Sequence, residues 1–276
     1  TLFRSVAKSD VLVENFKTGG LKKYGLDYAS LAAVNPKLVY CSITGFGQTG
    51  PYAKRAGYDF MIQGLGGLMS LTGRPEGEEG AGPMKVGVAL TDILTGLYAT
   101  VGVLAALNQR EQSGIGQHID VALLDVQVAC LANQAMNQMI GGMTPRRLGN
   151  AHPNIVPYQA FPASDGHVII ACGNDRQFAG LCRALGLEGL AENPDYATNP
   201  ARVANRAALV PLIAEATERG DGKKILDDMA RGAEAYLQMW ERALGIKPDS
   251  CRNPGLRKPV GKVMSLISKG MTTDQV

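Results

Sequence analysis

The chain has 276 residues, and its 28 Lys and Arg against 25 Asp and Glu give a formal net charge of +3. Hydrophobic residues make up 45% and charged residues 19%, a balance typical of a soluble globular protein and not of a disordered one. The small net charge and 6% aromatic content predict no nucleic-acid partner, and no apolar run approaches the roughly 18 residues that predict a membrane span.

The first recognisable unit is strand, helix, strand. Residues 10–15 form a short apolar run that predicts a buried strand, and residues 38–43 form a second one. Between them, Asp27 is a suitable N-cap for a helix over Tyr28 to Val34, which ends before Pro36. This βαβ order predicts an α/β protein with a parallel sheet.

The second strand runs into a glycine loop, Gly45-Phe46-Gly47-Gln48-Thr49-Gly50, with the formal GxGxxG pattern of a dinucleotide-binding turn. Pro51 follows at once, no clear helix begins there, and no acidic residue ends a strand about 20 residues later. The pattern therefore favours a ligand-approaching loop at the carboxyl end of a sheet strand over a nicotinamide site.

An almost wholly apolar helical stretch occupies Ala89 to Asn108 and contains one acid, Asp92. Its Gly, Thr and Tyr content and its close polar flanks predict a core helix. In that setting, Asp92 is expected to be a buried, hydrogen-bonded structural acid.

The hydrophobic period then changes from that of a strand to that of a helix. Polar and apolar residues alternate over 118–123, as in a strand. From Leu124 onward, the residues that share one face recur at the spacing of a helix. Asp125 lies at this junction in an apolar setting. It has two interpretations: a helix cap, or a poised carboxylate that attacks an acyl carbonyl. Further along, the pattern predicts strands at 156–161 and 167–171 and helices at 177–185, 201–218 and 223–244.

Five widely spaced Cys and three distant His form no CxxC and no Cys/His cluster. This pattern predicts no disulfide framework and no metal site. It also indicates a reducing compartment, and with no leader visible at the first residues we expect a cytoplasmic location.

Several segments in order resemble the class III CoA-transferases. They are Val13-Glu14-Asn15-Phe16, the run from Ser42 to Pro51, Arg55-Ala56-Gly57-Tyr58-Asp59, and the run from Gly114 to Asp125. The segments Ile155 to Phe161 and Gly173 to Phe178 are similar to the branch that uses succinyl-CoA and dicarboxylic acids such as glutarate or hydroxymethylglutarate.

The resemblance implies chemistry at Asp125. Its carboxylate would attack the donor acyl-CoA to give an aspartyl anhydride, and the returning thiolate would form an aspartyl-CoA thioester. A CoA thioester would be the substrate, with no permanently bound cofactor. The implied CoA-binding residues are Asn15, Phe16, Lys17, Lys23 and Tyr58.

The resemblance also implies an organisation. Residues 1–145 would be a portion of the large domain that carries the nucleophile, with an incomplete N-terminus. Residues 146–218 would be a linker and part of a smaller α+β domain, and 219–276 an atypical tail. The family's interlocked homodimer is the expected assembly, and a mitochondrial leader lost with the N-terminus would place the protein in the matrix.

Two alternatives remain. The related α-methylacyl-CoA racemases use a His and an Asp as an acid/base pair. Tyr58 stands at the position of that His, and Asp92 at the position of that Asp. The second alternative is a catalytically silent fragment, since the chain begins just ahead of the Val13-Glu14-Asn15-Phe16 strand.

Overall fold

A computed structural model describes residues 2–225 and 227–229, which divide between two compact units, Thr1–Gly149 and Asn150–Val276. The division falls after Gly149, where the sequence placed it after residue 145. Most of the tail predicted for 219–276, including most of the helix predicted at 223–244, lies outside the described residues.

The first unit is built on a three-stranded parallel sheet in the order β1-β2-β3. Its strands are β1 (Val11–Glu14), β2 (Val39–Thr44) and β3 (His118–Ala122). The α/β class and the parallel sheet are therefore confirmed. The helices of this unit are α1 (Leu2–Val6), α2 (Tyr28–Val34), α3 (Asp59–Leu65), α4 (Leu68–Leu71), α5 (Leu90–Ser113), α6 (Leu123–Ala129) and α7 (Asn133–Met139), with a short 3₁₀ turn at Lys22–Tyr24.

Alternate side chains of β2 supply two separate cores, because successive residues of a strand point to opposite faces of the sheet. Tyr40 packs with Val6, Leu31 and Leu38, on the face that α1 and α2 cover. Cys41 belongs to a second cluster with Ala99 of α5, Val121 and Val126. The sheet is thus covered on both faces, as expected for parallel strands.

Helix α5 extends as predicted, but it is not a core helix. Its buried residues are Thr91, Thr95, Ala99 and Ala106, which form one narrow stripe. Leu97, Val101 and Leu104 remain about 60% exposed. By length and composition alone, α5 would also be long and apolar enough to cross a membrane, the one helix of which this holds in the described part of the chain.

The helix predicted to run on from Leu124 is broken in two. Helix α6 ends at Ala129, and Ala132, with a φ of 46°, turns the chain before α7 begins at Asn133. A positive φ is unfavourable for a residue with a Cβ. Neither Gly nor Pro stands at this break, so the sequence does not signal it.

The second unit has the α+β composition that the sequence predicted. Strands β4 (Tyr158–Ala163) and β5 (Gly166–Ala171) form an antiparallel hairpin. Among the residues that the structure describes, its helices include α8 (Asp175–Leu185), α9 (Glu188–Glu192), α10 (Asn199–Ala204) and α11 (Arg206–Glu218). Phe161, Phe178, Leu181, Leu209 and Ile213 are buried in one core between hairpin and helices.

Candidate active site

A cleft of about 530 Å³ opens at the carboxyl end of the parallel sheet. Residues that follow each strand line it: Asn15 after β1, Gly45 after β2 and Leu123 after β3. The carboxyl edge of a parallel sheet is where the loops of α/β proteins bind their ligands. The cleft therefore lies where the strand order predicts a site.

Four of the five residues predicted to bind CoA line this cleft: Asn15, Phe16, Lys17 and Tyr58. The side chains of Phe16 and Tyr58 are exposed. The fifth, Lys23, is not part of the lining. Its Nζ atom lies 4.8 Å from the centre of the neighbouring Tyr24 ring, within the 3₁₀ turn.

Asp125 occupies the first turn of α6 and is exposed. The residue that caps α6 is Ala122, without a side-chain cap bond, so the interpretation of Asp125 as the N-cap is wrong. Among the described residues, none forms a hydrogen bond or ion pair with the Asp125 carboxylate. Leu123, two positions earlier, lines the cleft, whereas Asp125 itself does not.

The start of α6 is tied directly to the glycine loop. The amide of Leu124 donates to the carbonyl oxygen of Gly45 at 3.1 Å. Within the loop, the Gly47 amide donates to Oγ1 of Thr44 at 2.9 Å, and the Gln48 amide donates to Oδ2 of Asp120 at 2.8 Å. Side chains thus occupy two amides of the GxGxxG segment, which a dinucleotide turn would need for phosphate.

Asp92 is not the buried structural acid that its apolar neighbours predicted. It is exposed and lines the cleft, in the first turn of α5. Partial desolvation, and secondly the negative charge of Asp59, raise the pKa of the Asp92 carboxyl above its ordinary value. An acid with a raised pKa in a cleft can exchange protons nearer to neutral pH than an ordinary carboxyl.

Asp59, which the sequence motifs did not single out as a site residue, anchors one wall of the cleft. Its Oδ1 accepts from the Thr91 amide at 2.8 Å, and its Oδ2 accepts from Nε2 of Gln63 at 2.7 Å. Gln63 is buried, and its Oε1 accepts from the Val86 amide at 2.9 Å. The spacing of Asp59 and Gln63, four residues apart on one helix, was the available signal.

Among the residues that the structure describes, no group of three or more His, Cys, Asp or Glu side chains could hold a metal ion. What the cleft offers is cationic side chains, two carboxyl groups and glycine backbone. A thioester or a carboxylate fits such a lining.

Comparison with known proteins identifies the family. Residues 1–237 match the family model of CoA-transferase family III, and the chain belongs to this family. The resemblance identified from the sequence motifs is thereby confirmed.

The chain is 55% identical over 272 residues to the succinate–glutarate CoA-transferase of Agrobacterium fabrum, covering 93% of this chain and 67% of the relative. It is 45% identical over 212 residues to the succinyl-CoA:glutarate CoA-transferase of Homo sapiens, covering 77% of this chain and 48% of the relative. The chain therefore spans about half to two thirds of the length of these relatives.

Two solved structures are also similar to this chain. A CAIB/BAIF family protein from Brucella suis is 57% identical, with a TM-score of 0.68 over 83% of this chain and 60% of that chain. Rv3272 from Mycobacterium tuberculosis is 28% identical, with a TM-score of 0.71 over the same shares.

Proposed function

We propose that this protein transfers CoA from succinyl-CoA to a dicarboxylic acid of the glutarate class. Membership of CoA-transferase family III and the names of the similar enzymes support this activity. The cleft is consistent with it, because Lys17, Lys54 and Arg55 give its lining an excess of positive charge for anionic substrates.

One observation carries the assignment of the nucleophile. Asp125 is an exposed carboxylate without a partner among the described residues, at the junction of β3 and α6. Two neighbouring acids differ in this respect, since Asp59 and Asp120 accept hydrogen bonds from backbone amides. Asp92 resembles Asp125 in having no partner among the described residues, so the order of the sequence motifs, and not this observation, separates the two. A carboxylate whose lone pairs are not already engaged is the better nucleophile toward an acyl carbonyl.

In the proposed reaction, the Asp125 carboxylate attacks the thioester carbonyl and expels the CoA thiolate, which leaves an aspartyl–acyl anhydride. The thiolate then attacks the aspartyl carbonyl and releases the donor acid as its carboxylate, which forms an aspartyl-CoA thioester. The acceptor carboxylate attacks this thioester, and the freed thiolate attacks the acceptor's carbonyl in the new anhydride. Acyl-CoA leaves and Asp125 is regenerated.

The remaining residues are proposed to bind and orient the thioester. Lys17 would neutralise a phosphate as a point charge, and Asn15, Phe16 and Tyr58 would contact the CoA arm within the cleft. Lys23 lies outside the cleft, so its proposed role is to attract the phosphates at longer range.

The decisive test is intact-protein mass spectrometry after incubation with succinyl-CoA, with hydroxylamine to trap an activated aspartyl group. We expect an adduct that maps to Asp125 and is lost in Asp125→Asn. The matched control is Asp92→Asn, which removes the charge of another exposed acid in the first turn of a helix and should keep the adduct. A folded protein without any adduct would instead support the catalytically silent alternative.

The raised pKa of Asp92 favours one second candidate, the exchange of the α-proton of an acyl-CoA, as in the related racemases. Asp92 and Tyr58 line the same cleft. This candidate predicts deuterium incorporation into an α-methylacyl-CoA in D₂O that Asp92→Asn abolishes and Asp125→Asn does not. Transfer without such incorporation would exclude it.

We further propose that the protein forms a homodimer through the exposed apolar face of α5, which includes Leu97, Val101 and Leu104. Light scattering should give the mass of a dimer for the wild type, and Leu97→Lys should lower it. Ile169→Lys, at an exposed apolar residue of β5, is the control that should leave the mass unchanged.

A further inference from the structure

We propose that Arg55 binds the carboxylate of the acyl group that does not react, and so selects dicarboxylic acids and their CoA esters. This inference rests on the proposed CoA-transferase function and adds to it the residue that sets acyl-group specificity. Four observations about the cleft support it.

The first observation is that the Arg55 guanidinium lies over an aromatic ring. Its central carbon lies 4.1 Å from the centre of the Tyr52 ring. The Tyr52 ring in turn meets the Phe46 ring edge to face, with 5.5 Å between ring centres. Stacking on an aromatic face fixes the plane of a guanidinium while its N–H groups stay free at the edge.

The second observation is that these N–H groups are not engaged. In the described residues, no carboxylate pairs with Arg55 and no acceptor receives a hydrogen bond from its side chain. Two arginines with carboxylate partners show the contrast: Arg110 pairs with Asp10 at 2.9 Å, and Arg202 pairs with Asp175 at 2.8 Å. Arg55 therefore presents a preoriented donor fork that nothing in the described fold uses.

The third observation is the charge balance of the cleft. Lys17, Lys54 and Arg55 line it together with two acids, Asp59 and Asp92. Both carboxylate oxygens of Asp59 already accept hydrogen bonds. The lining thus favours a bound carboxylate.

The fourth observation is chemical fit. A guanidinium and a carboxylate form two parallel hydrogen bonds, which a lysine ammonium cannot reproduce. Of the three cations in the cleft, Lys17 adjoins Asn15 and Phe16, which are proposed to contact CoA. Arg55 is the cation whose orientation is fixed by a ring beneath it.

The dicarboxylate has a specific need for such a group. Its reacting carboxylate becomes an anhydride and then a thioester, and loses its charge. The distal carboxylate stays ionised in the donor, both anhydrides and the product. A residue that binds it holds the acyl group in one position as a thioester is converted to an anhydride and as an anhydride is converted back to a thioester.

Binding titrations test the proposal without any chemistry. NMR or calorimetry would measure the affinity of the wild type for glutarate and for butyrate, which lacks the second carboxylate. We expect Arg55→Ala to weaken glutarate binding about 10- to 100-fold and to leave butyrate binding unchanged. The glutarate affinity of Arg55→Lys should lie between those of the wild type and Arg55→Ala, because lysine keeps the positive charge but cannot form the two parallel hydrogen bonds.

Lys54→Ala is the matched control, because it removes a positive charge from the same cleft one position away. We expect it to change the ratio of glutarate to butyrate affinity much less than Arg55→Ala does, because an ammonium does not form the paired hydrogen bonds of a guanidinium. Three results would overturn the proposal: no glutarate binding to the wild type, an equal loss for both acids in Arg55→Ala, or an equal loss of selectivity in Lys54→Ala. Thermal unfolding of each variant checks that the fold is retained.

Kinetics separate this proposal from the function on which it rests. With succinyl-CoA as donor and glutarate as acceptor, Arg55→Ala should raise the KM for the donor about 10- to 100-fold. With acetyl-CoA as donor, the KM for the donor should not change. An equal rise for both donors would make Arg55 a CoA contact and overturn the proposal. A wild type that binds glutarate selectively through Arg55 but transfers no CoA would refute the transferase function alone.

Discussion

Gly45 and Gly57 pack backbone against backbone in the wall of the cleft. A Cβ atom on Gly45 would lie 2.5 Å from the Cα of Gly57, and a Cβ on Gly57 would meet the Cα of Gly45 just as closely. The two residues bracket the loop that carries Tyr52 and Arg55. Their close approach therefore closes this loop at its base, and only glycine fits at either position.

Gly57→Ala is expected to lower the free energy of unfolding by about 1 to 3 kcal/mol, because the obstructing atoms are backbone and cannot rotate away. Urea denaturation measures the change. Gly96→Ala is the control: this glycine lies inside α5, also lines the cleft, and has no atom within 4 Å of an added Cβ. The free energy of unfolding of Gly96→Ala should rise by about 0.5 to 1 kcal/mol, because alanine has a higher helix propensity than glycine. Equal effects at the two glycines would contradict the packing argument.

Arg202 organises the second unit from inside its core. Its side chain is fully buried, and its guanidinium donates to the carbonyl oxygens of Val156 and Tyr196 and to Oδ1 of Asp175. Arg202→Leu should cost about 2 to 4 kcal/mol, because two backbone acceptors are left unsatisfied in the core. Asp175→Asn keeps an acceptor oxygen, so it should lower the free energy of unfolding by less than about 1 kcal/mol in the same denaturation assay. This is the size expected for an ion pair with one exposed partner. A larger loss in Asp175→Asn than in Arg202→Leu would show that the ion pair dominates.

His152 should make stability depend on pH in one direction. Burial, and secondly the positive charge of Arg206, lower the pKa of His152 below its ordinary 6.5. The Nδ1 atom of His152 also accepts from the Asn154 amide at 3.1 Å, which requires this nitrogen to be unprotonated. The unfolded chain binds the proton first as pH falls. The contribution of His152 is therefore complete above pH 6.5 and is lost as pH falls through the folded-state pKa.

His152→Gln removes this titration. Its free energy of unfolding should fall less steeply than that of the wild type as the pH is lowered below 6.5. Urea denaturation at a series of pH values gives both slopes, and parallel slopes would contradict the lowered pKa.

Asp92 should make stability depend on pH in the direction opposite to that of His152. Its pKa is raised in the folded state, so the folded protein binds more protons than the unfolded chain just above the ordinary value of 3.8. The free energy of unfolding then falls as pH rises through the interval between 3.8 and the folded-state pKa. Asp92→Asn should flatten this part of the profile. A steeper fall in the variant would show that Asp92 is stabilised as the ionised form.

Local sequence signals were enough to predict the parallel strands and the site at their carboxyl edge. The apolar runs at β1 and β2, Pro36 after α2 and the change of period before Asp125 are all properties of neighbouring residues. Their outcome depends little on distant parts of the chain.

Three features depended on tertiary contacts and could not be predicted in this way. Ala132 turns between α6 and α7 with a positive φ that its residue type does not favour. The apolar residues of α5 predict burial, but which face is covered depends on the elements packed against it. Asp59 reaches Thr91, 32 positions away, through a contact that no local pattern encodes.

The pairing of β2 with β3 also sets the order in which the cleft can be assembled. Ser42 meets His118 across a separation of 76 positions, and the amide of Gln48 meets Asp120 across 72. At a synthesis rate of about 5 to 20 residues per second, β3 leaves the ribosome about 4 to 15 seconds after β2. During that time, the glycine loop has neither its Asp120 acceptor nor the start of α6 to hold it. The loop that lines the cleft therefore cannot form these hydrogen bonds until β3 has been synthesised.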